Sequence, residues 1–427
     1  MTAAPAARPS RIRYRVLTWL CVIAAIAYLQ RNSISVLKEP LAEDLDLEPA
    51  ALGAITAAFY LGYALFQIPG GLLRDLWGTR ATMAVVGLIG TLAMLLMASV
   101  YDVRLAWFAW LLVGACQAAL FPCAISAIRH WFPATQRATA SGILAACMSL
   151  GGAISTGVAG YLLGPLDWRS VLALFAIPAA VWSILFAIFY RSRPELHSSV
   201  NDAERALIHG SETPTSAATV DTVHGPTPWL TILFTPTLIF LYFQQCFRAA
   251  GQVFYGTWFP TYLQDARGVT LADSGWLTSL PQLALMCGAL LGGIVSDRLL
   301  RQTGSHRVAY QGVSIISLTI CAVLILGSYG IASATLAVIV ISIGQFFGAL
   351  AGPAAYAVSI EKGGRHLATV FSTMNMAGNL GAMALPWVLP KLVAATSWTV
   401  ALGMFASLYG LAALCWLAIK PGRAIGE

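Results

Sequence analysis

Hydrophobic runs of helical length recur along the whole chain and are separated by short polar stretches. A helix that crosses a lipid bilayer needs about 20 mostly apolar residues. By this criterion the pattern predicts twelve spans, over residues 15–37, 51–73, 81–101, 105–128, 139–163, 169–190, 231–262, 273–296, 308–328, 334–360, 366–390 and 396–419. The ninth and tenth come from one charge-free stretch, 308–360, which is too long for a single crossing and divides at residues 327–333. The pattern therefore predicts an all-α membrane protein with twelve transmembrane helices.

The composition supports this class. Of the 427 residues, 58% are hydrophobic and only 10% are charged, whereas soluble domains carry about 25% charged residues. Disorder is excluded as well, because it requires low hydrophobicity and high net charge. The eight cysteines fall inside apolar runs without metal-ligand spacing, and we interpret them as free thiols.

The basic residues indicate the orientation of the chain. Of 25 Lys and Arg residues, eighteen fall in the tails and loops on one side. The other side receives five, which are Lys38, Arg104, Arg169, Arg267 and Lys391. Because cytoplasmic loops are enriched in Lys and Arg, both termini are predicted to be cytoplasmic.

A polar segment between the sixth and seventh spans divides the chain into two parts. We predict a cytoplasmic tail (1–14), a six-helix half (15–190), a cytoplasmic linker (191–230), a second six-helix half (231–419) and a second tail (420–427). Residues 71–80 after span two and 293–301 after span eight share a Gly-x-x-x-Asp pattern followed by arginine. This similarity indicates a parallel internal repeat.

Four charged residues of these repeated segments are candidates for structure and gating: Asp75, Arg80, Asp297 and Arg298. A carboxylate at a helix end can cap a neighbouring helix and pair with a basic group. Glycine in the same turn permits close approach of the helices.

Apart from residues at the span boundaries, Arg31 and Arg248 are the only charged residues that the predicted spans contain, and no carboxylate or histidine is left for the membrane interior. An arginine within a span is costly and needs an anionic partner or a wet cavity. Since guanidinium binds carboxylate or phosphate bidentately, we expect both arginines to face a central cavity and to bind an anionic substrate. The alternative for each is snorkelling or pairing with a backbone carbonyl.

Polar side chains occur at helical spacing around these arginines and on other spans. They are Tyr28 on span one, Tyr60, Tyr63 and Gln67 on span two, Gln245, Gln252 and Tyr255 on span seven, and Ser372, Asn375 and Asn379 on span eleven. From this set we predict substrate contacts at Tyr28, Tyr63, Gln252, Asn375 and Asn379. The set favours recognition of hydroxyl groups in a polyhydroxy acid, although membrane helices also use such residues to bond to one another.

Several motifs resemble those of a known family. Residues 71–80 resemble the signature between helices two and three of the major facilitator superfamily. The segments AFYLGYALFQIPGG (58–71), WFPATQR (131–137), PELH (194–197) and WFPTYL (258–263) are similar to the anion:cation symporter family, which includes bacterial hexonate, hexuronate and glucarate permeases and the vesicular glutamate and sialic acid carriers. The resemblance covers residues 28 to about 381. It implies the major facilitator fold of two pseudo-symmetric halves, with spans one, two, four, seven and eleven lining the cavity.

Three positions in two spans depart from this family pattern. Where members resemble Tyr-x-Asp-Arg in span one, the chain has glutamine at Gln30, between Tyr28 and Arg31. Where proton-coupled members resemble Arg-x-x-x-Gly-x-x-Glu in span four, it has Trp110 and Gln117. The resemblance implies that Gln30 and Gln117 lie at the substrate site. Because glutamine cannot carry a proton there, we expect a uniporter, an exchanger or a carrier driven by membrane potential.

The leading hypothesis is a secondary or facilitated transporter of a small organic anion, such as a sugar acid or another carboxylate, in the bacterial inner membrane. It would work as a monomer, without cofactor, metal or nucleic acid. An exchanger for phosphate or organophosphate anions and a transporter-like membrane sensor are the alternatives. A membrane enzyme is disfavoured, because the spans contain no paired carboxylates, metal cluster or Ser-His arrangement. Import and export, and the possible coupling ions, are left open.

Overall fold

The computed structural model describes residues 8–163, 165–209, 228–269 and 271–422, and all regular structure within these residues is helical. In chain order the α-helices are α1 (Ile12–Asp44), α2 (Pro49–Ala98), α3 (Val103–Trp131), α4 (Ala134–Leu162), α5 (Trp168–Phe189), α6 (Asp202–His209), α7 (Trp229–Phe234), α8 (Pro236–Thr257), α9 (Phe259–Arg267), α10 (Leu271–Thr303), α11 (Val313–Gly327), α12 (Ala334–Leu350), α13 (Gly352–Gly363), α14 (Leu367–Ala395) and α15 (Trp398–Ala418). A π-helical segment, Arg307–Gly312, precedes α11.

The helices form two compact units. As far as it is described, the first contains residues 8–140, 147–209 and 365–372, and the second contains residues 141–146, 228–364 and 373–422. The units differ from the predicted halves in two short segments, one inside α4 and one at the start of α14. Residues 1–7, 210–227 and 423–427, which belong to the predicted tails and linker, lie outside the described residues.

Among the described residues, nine helical stretches are long and apolar enough to cross a membrane. Two of them, Ala51–Ala98 and Ala334–Leu385, contain 48 and 52 residues, about twice what one crossing requires. Within α2 the backbone leaves helical geometry at Gly78, where φ is 77° and ψ is 164°. Gly78 falls between predicted spans two and three. The count of twelve crossings and the cytoplasmic termini stay predictions.

The predicted seventh span, 231–262, is divided among three helices. α7 ends at Phe234, α8 begins at Pro236, and α9 begins at Phe259 with Pro260 in its first turn. Proline lacks a backbone N–H and fixes φ, so it starts a helix well and interrupts a continuous one. The expectation of one unbroken helix is corrected for this reason.

Glycine allows close helix contact in both units. In the first unit, Gly114 of α3 packs against the backbone of Phe59 in α2, and a Cβ atom at Gly114 would overlap the carbonyl oxygen of Phe59. In the second unit, Gly288 of α10 meets the carbonyl of Phe346 in α12 in the same way. Small residues at such contacts let membrane helices gain van der Waals packing. Predicted spans two and four therefore pack in the same manner as spans eight and ten.

The short helix α6 is fastened to the start of α1 through Glu204. Its carboxylate accepts hydrogen bonds from the backbone N–H groups of Ile12 (2.9 Å) and Arg13 (3.1 Å), from the Arg13 guanidinium (3.0 Å) and from the Ser10 hydroxyl. Burial raises the pKa of Glu204, but these hydrogen bonds outweigh burial and lower the pKa overall. Arg11, at the N-cap, supplies no side-chain acceptor for the first N–H groups of α1. The Glu204 carboxylate accepts from these groups instead and so caps the helix.

Two arginines of the basic-poor side hold loops in place. Arg169 pairs with Asp44 and donates to the carbonyl of Val100 (2.8 Å), joining the start of α5 to the end of α1 and the loop after α2. Arg267, at the end of α9, donates to the carbonyl of Ser328 (3.0 Å) in the turn after α11. Their contacts to backbone carbonyls give these two arginines a structural role.

The contact at Gly114 generates a stability prediction. Gly114→Ala forces α2 and α3 apart, and overpacking of this kind costs roughly 1–3 kcal/mol. Gly53→Ala is the matched control, since nothing lies within 4 Å of a Cβ atom added at Gly53. We expect a lower melting temperature in detergent for Gly114→Ala and an unchanged or higher one for Gly53→Ala. Equal melting temperatures for the two variants would contradict the close contact.

Candidate functional site

Arg31 lies in α1 within a group of aromatic side chains of the first unit. Its Cζ atom is 4.9 Å from the ring centroid of Tyr60, 5.3 Å from those of Tyr28 and Phe59, and 5.8 Å from that of Tyr63. Cation–π contact stabilises a cation without removing its charge. In the part of the chain that the structure describes, no ion pair involves Arg31. The guanidinium therefore keeps an uncompensated positive charge.

This arrangement follows from helical spacing. Tyr28 precedes Arg31 by three residues on α1, and Phe59, Tyr60 and Tyr63 lie within about one turn of α2. Tyr28 therefore lies on the same side of α1 as Arg31, and α2 directs its three aromatic rings toward Arg31. Phe59 was not among the predicted site residues, although its spacing of four from Tyr63 indicates a shared face.

A cavity inside the first unit is lined by Arg31 and by side chains of α1, α2, α3 and α4. The lining residues are Leu20, Ile23, Ala24, Ala27, Tyr28, Arg31, Tyr63, Gln117, Leu120, Phe121, Ala124 and Met148. Among these described residues, eight are apolar, and the remaining four are one arginine, two tyrosines and one glutamine. The cavity thus combines a single cation with a mostly apolar wall.

Gln30 and Gln117 are hydrogen-bonded to each other. The Gln117 amide donates to the Gln30 carbonyl oxygen (3.2 Å), and the Gln30 amide donates to the backbone carbonyl of Phe175 in α5 (3.0 Å). Both side chains are buried. Gln117 also lines the cavity, whereas the amide of Gln30 contacts protein at both ends. The two glutamines, which stand where the family pattern has acids, form one neutral pair that joins α1, α3 and α5.

Arg248 lies in α8 of the second unit and is 6% exposed. Its guanidinium donates to the side-chain oxygens of Gln245 (3.0 Å) and Gln252 (3.2 Å), and its Nε atom has no partner. No carboxylate of the described residues pairs with it. The predicted polar stripe of this helix therefore solvates its own arginine with amide dipoles and leaves the net charge in place.

Other predicted polar contacts bond to backbone. The Asn379 amide donates to the backbone carbonyl of Asn375 in α14 (2.9 Å), and the Gln67 amide donates to the carbonyl of Ala118 in α3 (3.1 Å). Such bonds between and along helices are the alternative role that the sequence left open.

Asp75 sits in a buried polar cluster within the first repeated segment. It accepts hydrogen bonds from the Arg74 guanidinium (3.1 Å) and from the Thr369 hydroxyl (2.6 Å). Thr369 belongs to the first turn of α14. Asp75 thus contacts both a base and a helix start, the two partners expected for a structural or gating carboxylate.

The remaining residues of the repeated segments differ in exposure. Arg80 donates through Nε to the backbone carbonyl of Ala187 near the end of α5 (2.8 Å). This bond satisfies an end carbonyl of α5 that has no partner within its own helix. In the second repeated segment, Asp297 is buried and Arg298 is exposed.

Metal binding has no support in the described part of the chain. No group of three or more His, Cys, Asp or Glu side chains there is placed to hold a metal ion.

Comparison with known proteins gives consistent results. Residues 20–386 match the family profile described as Major Facilitator Superfamily. A probable sulfoacetate transporter of Cupriavidus necator, SauU, is 30% identical over 96% of this chain and 94% of its own length. A probable galactarate/D-glucarate transporter of Bacillus subtilis, GudP, is 28% identical over 92% of this chain and 88% of its own. The solved proton:xylose symporter XylE, at 14% identity, superposes with a TM-score of 0.72 over 96% of both chains, which shows the fold.

Proposed function

Because the chain belongs to the Major Facilitator Superfamily, we propose that it carries a small organic anion, a sugar acid or another organic acid, across the membrane by alternating access. It is a multi-pass inner-membrane transport protein and not an enzyme. The proposal includes twelve crossings, two six-helix halves, cytoplasmic termini and a monomeric carrier.

The observation that carries the proposal is the uncompensated charge of Arg31 beside a cavity. A guanidinium within a membrane span is costly and needs an anionic partner or a wet cavity, and its planar fork binds oxyanions bidentately. Arg248 supports the same reading, since it is buried with only amide oxygens around it. The similar transporters are named for sulfoacetate, galactarate and D-glucarate, all of which are anions.

Alternating access also fits the composition of the cavity. A bound anion offsets the positive charge, so the loaded carrier changes access to a nearly neutral site that stays near the membrane midplane. The empty carrier must make the same change around an uncompensated guanidinium. Return is therefore faster with an anion bound, which favours exchange.

Uptake into proteoliposomes tests the function directly. We expect saturable uptake of at least one anion from a panel of sulfoacetate, galactarate, D-glucarate, hexuronate and galactonate. Uptake by the purified protein would exclude a sensor that binds without moving its ligand. Exclusive uptake of phosphate or phosphate esters would favour the organophosphate exchanger.

Arg31→Ala should lower substrate affinity by about 10- to 150-fold, because a charge-assisted hydrogen bond is worth roughly 1.5–3 kcal/mol. Arg31→Lys should restore part of the loss, since a point charge lacks the bidentate fork. Arg104→Ala, an exposed arginine of the first unit, serves as the control. Concentration-dependent uptake and ligand-induced shifts of the melting temperature measure the effect. Wild-type uptake by well-folded Arg31→Ala would remove Arg31 from the site.

Arg248→Ala should weaken binding and slow exchange together, because Arg248 is proposed as an anion contact of the second unit. Gln252→Leu removes one amide oxygen from the guanidinium but keeps the charge, so we expect a smaller effect. Counterflow of labelled substrate gives both affinity and exchange rate. An unchanged affinity in Arg248→Ala would limit the site to Arg31.

The neutral pair Gln30–Gln117 leads to a prediction about coupling. A pH gradient at zero membrane potential should not drive accumulation by the wild type, because neither amide titrates. Gln117→Glu is close in shape and should introduce pH-dependent transport, since a carboxylate, unlike an amide, can take up and release a proton. Glu361, which directly follows predicted span ten and is the main alternative proton carrier, bonds to His306 (2.5 Å) and to the Gly422 N–H (3.0 Å). Accumulation driven by the pH gradient alone that survives Glu361→Gln would contradict this prediction.

A further inference from the structure

The wall of the cavity next to Arg31 offers few groups that can bond to a substrate hydroxyl. Apolar side chains of three helices contribute to it, among them Leu20 and Ala27 of α1, Leu120 and Ala124 of α3, and Met148 of α4. An alcohol placed against such a wall loses its hydrogen bonds to water without replacement. The sequence, in contrast, favoured recognition of hydroxyl groups.

Three glutamine amides of the first unit already donate hydrogen bonds to the protein. The Gln30 amide bonds to the carbonyl of Phe175, and the Gln67 amide bonds to that of Ala118. The Gln117 amide donates to Gln30. A substrate hydroxyl that took over one of these N–H groups would leave a buried acceptor with one bond fewer, which largely cancels the gain.

From these contacts we infer that the substrate is a compact organic anion with few or no hydroxyl groups, of the sulfonate or simple carboxylate type, rather than a polyhydroxylated sugar acid. The inference rests on the proposed function and narrows its substrate class. Arg31 binds the charged head, and the apolar wall contacts a short carbon body.

The relatives differ in this respect. The name of the 30% identical protein specifies sulfoacetate, a two-carbon sulfonate without hydroxyl groups, whereas the 28% identical protein is named for galactarate and D-glucarate, which carry four each. The small difference in identity does not decide between hydroxyl-free anions and polyhydroxylated sugar acids. The inference therefore rests on the apolar wall of the cavity.

Matched pairs of anions separate hydroxyl content from charge and length. Succinate and tartrate share a four-carbon skeleton with two carboxylates, and adipate and galactarate share a six-carbon one; only tartrate and galactarate carry hydroxyls. A hydroxyl in an apolar pocket is disfavoured by up to about 100-fold. We expect each hydroxyl-free member to compete at least tenfold better for binding than its partner, and sulfoacetate to compete as well as succinate or better.

Variants of the wall provide a second readout. Ala27→Ser and Ala124→Ser place a hydroxyl on the cavity surface and should reduce the succinate-to-tartrate preference. Ala106→Ser on α3, fully buried outside the lining, is the control and should leave the ratio unchanged. A ratio is insensitive to the amount of folded protein, so loss of stability does not imitate the effect.

The outcomes are distinguishable. Equal or better competition by tartrate and galactarate would overturn the inference and leave the proposed function intact. A succinate preference that neither serine variant alters would also overturn it, because the wall would not be its source. Absence of binding and transport for every anion tested, including sulfoacetate, would refute the proposed function and with it the inference.

Discussion

The positive charge of Arg31, which no carboxylate of the described residues offsets, is the constraint on which the site depends. The protein stabilises it with the faces of four aromatic rings rather than with a carboxylate. Cation–π contacts and amide dipoles reduce the cost of burial but leave the net charge unchanged. The same principle applies to Arg248, which two glutamines surround. An internal carboxylate would neutralise these arginines. Without one, their positive charges can still attract an incoming anion.

Close helix packing gives the aromatic group its geometry. The Phe59 ring contacts Arg31, while the Phe59 backbone carbonyl lies against Gly114 of α3. The contact that brings α2 and α3 together therefore also fixes the position of one wall of the arginine site. Gln117, three residues beyond Gly114, reaches both the cavity and Gln30 from the same helix. Packing and site are thus built on the same turn of α3.

Helix positions could be predicted from the sequence to a useful degree, because hydrophobic length and charge determine where a chain can lie in a membrane. The division between spans two and three was predicted from polarity, and the structure has its break at Gly78. The seventh span was predicted as continuous because its hydrophobicity does not change at Pro236 and Pro260. Backbone geometry, and not hydropathy, interrupts the helix there.

Spacing along one helix predicted that Tyr28 and Arg31 lie side by side, and both line the cavity. The same spacing could not predict the hydrogen bonds of Gln30, whose neighbour Arg31 lines the cavity. Consecutive residues point about 100° apart around a helix, so a residue next to a cavity-lining arginine need not share its direction. The carbonyl to which the Gln30 amide donates lies on α5, far away in sequence. Only the packed structure shows that the glutamines bond to each other, and this bond has a chemical consequence. An amide pair of this kind keeps its charge at zero over the whole physiological pH range, so Arg31 and the anion that we propose it binds determine the electrostatics of the first unit's cavity.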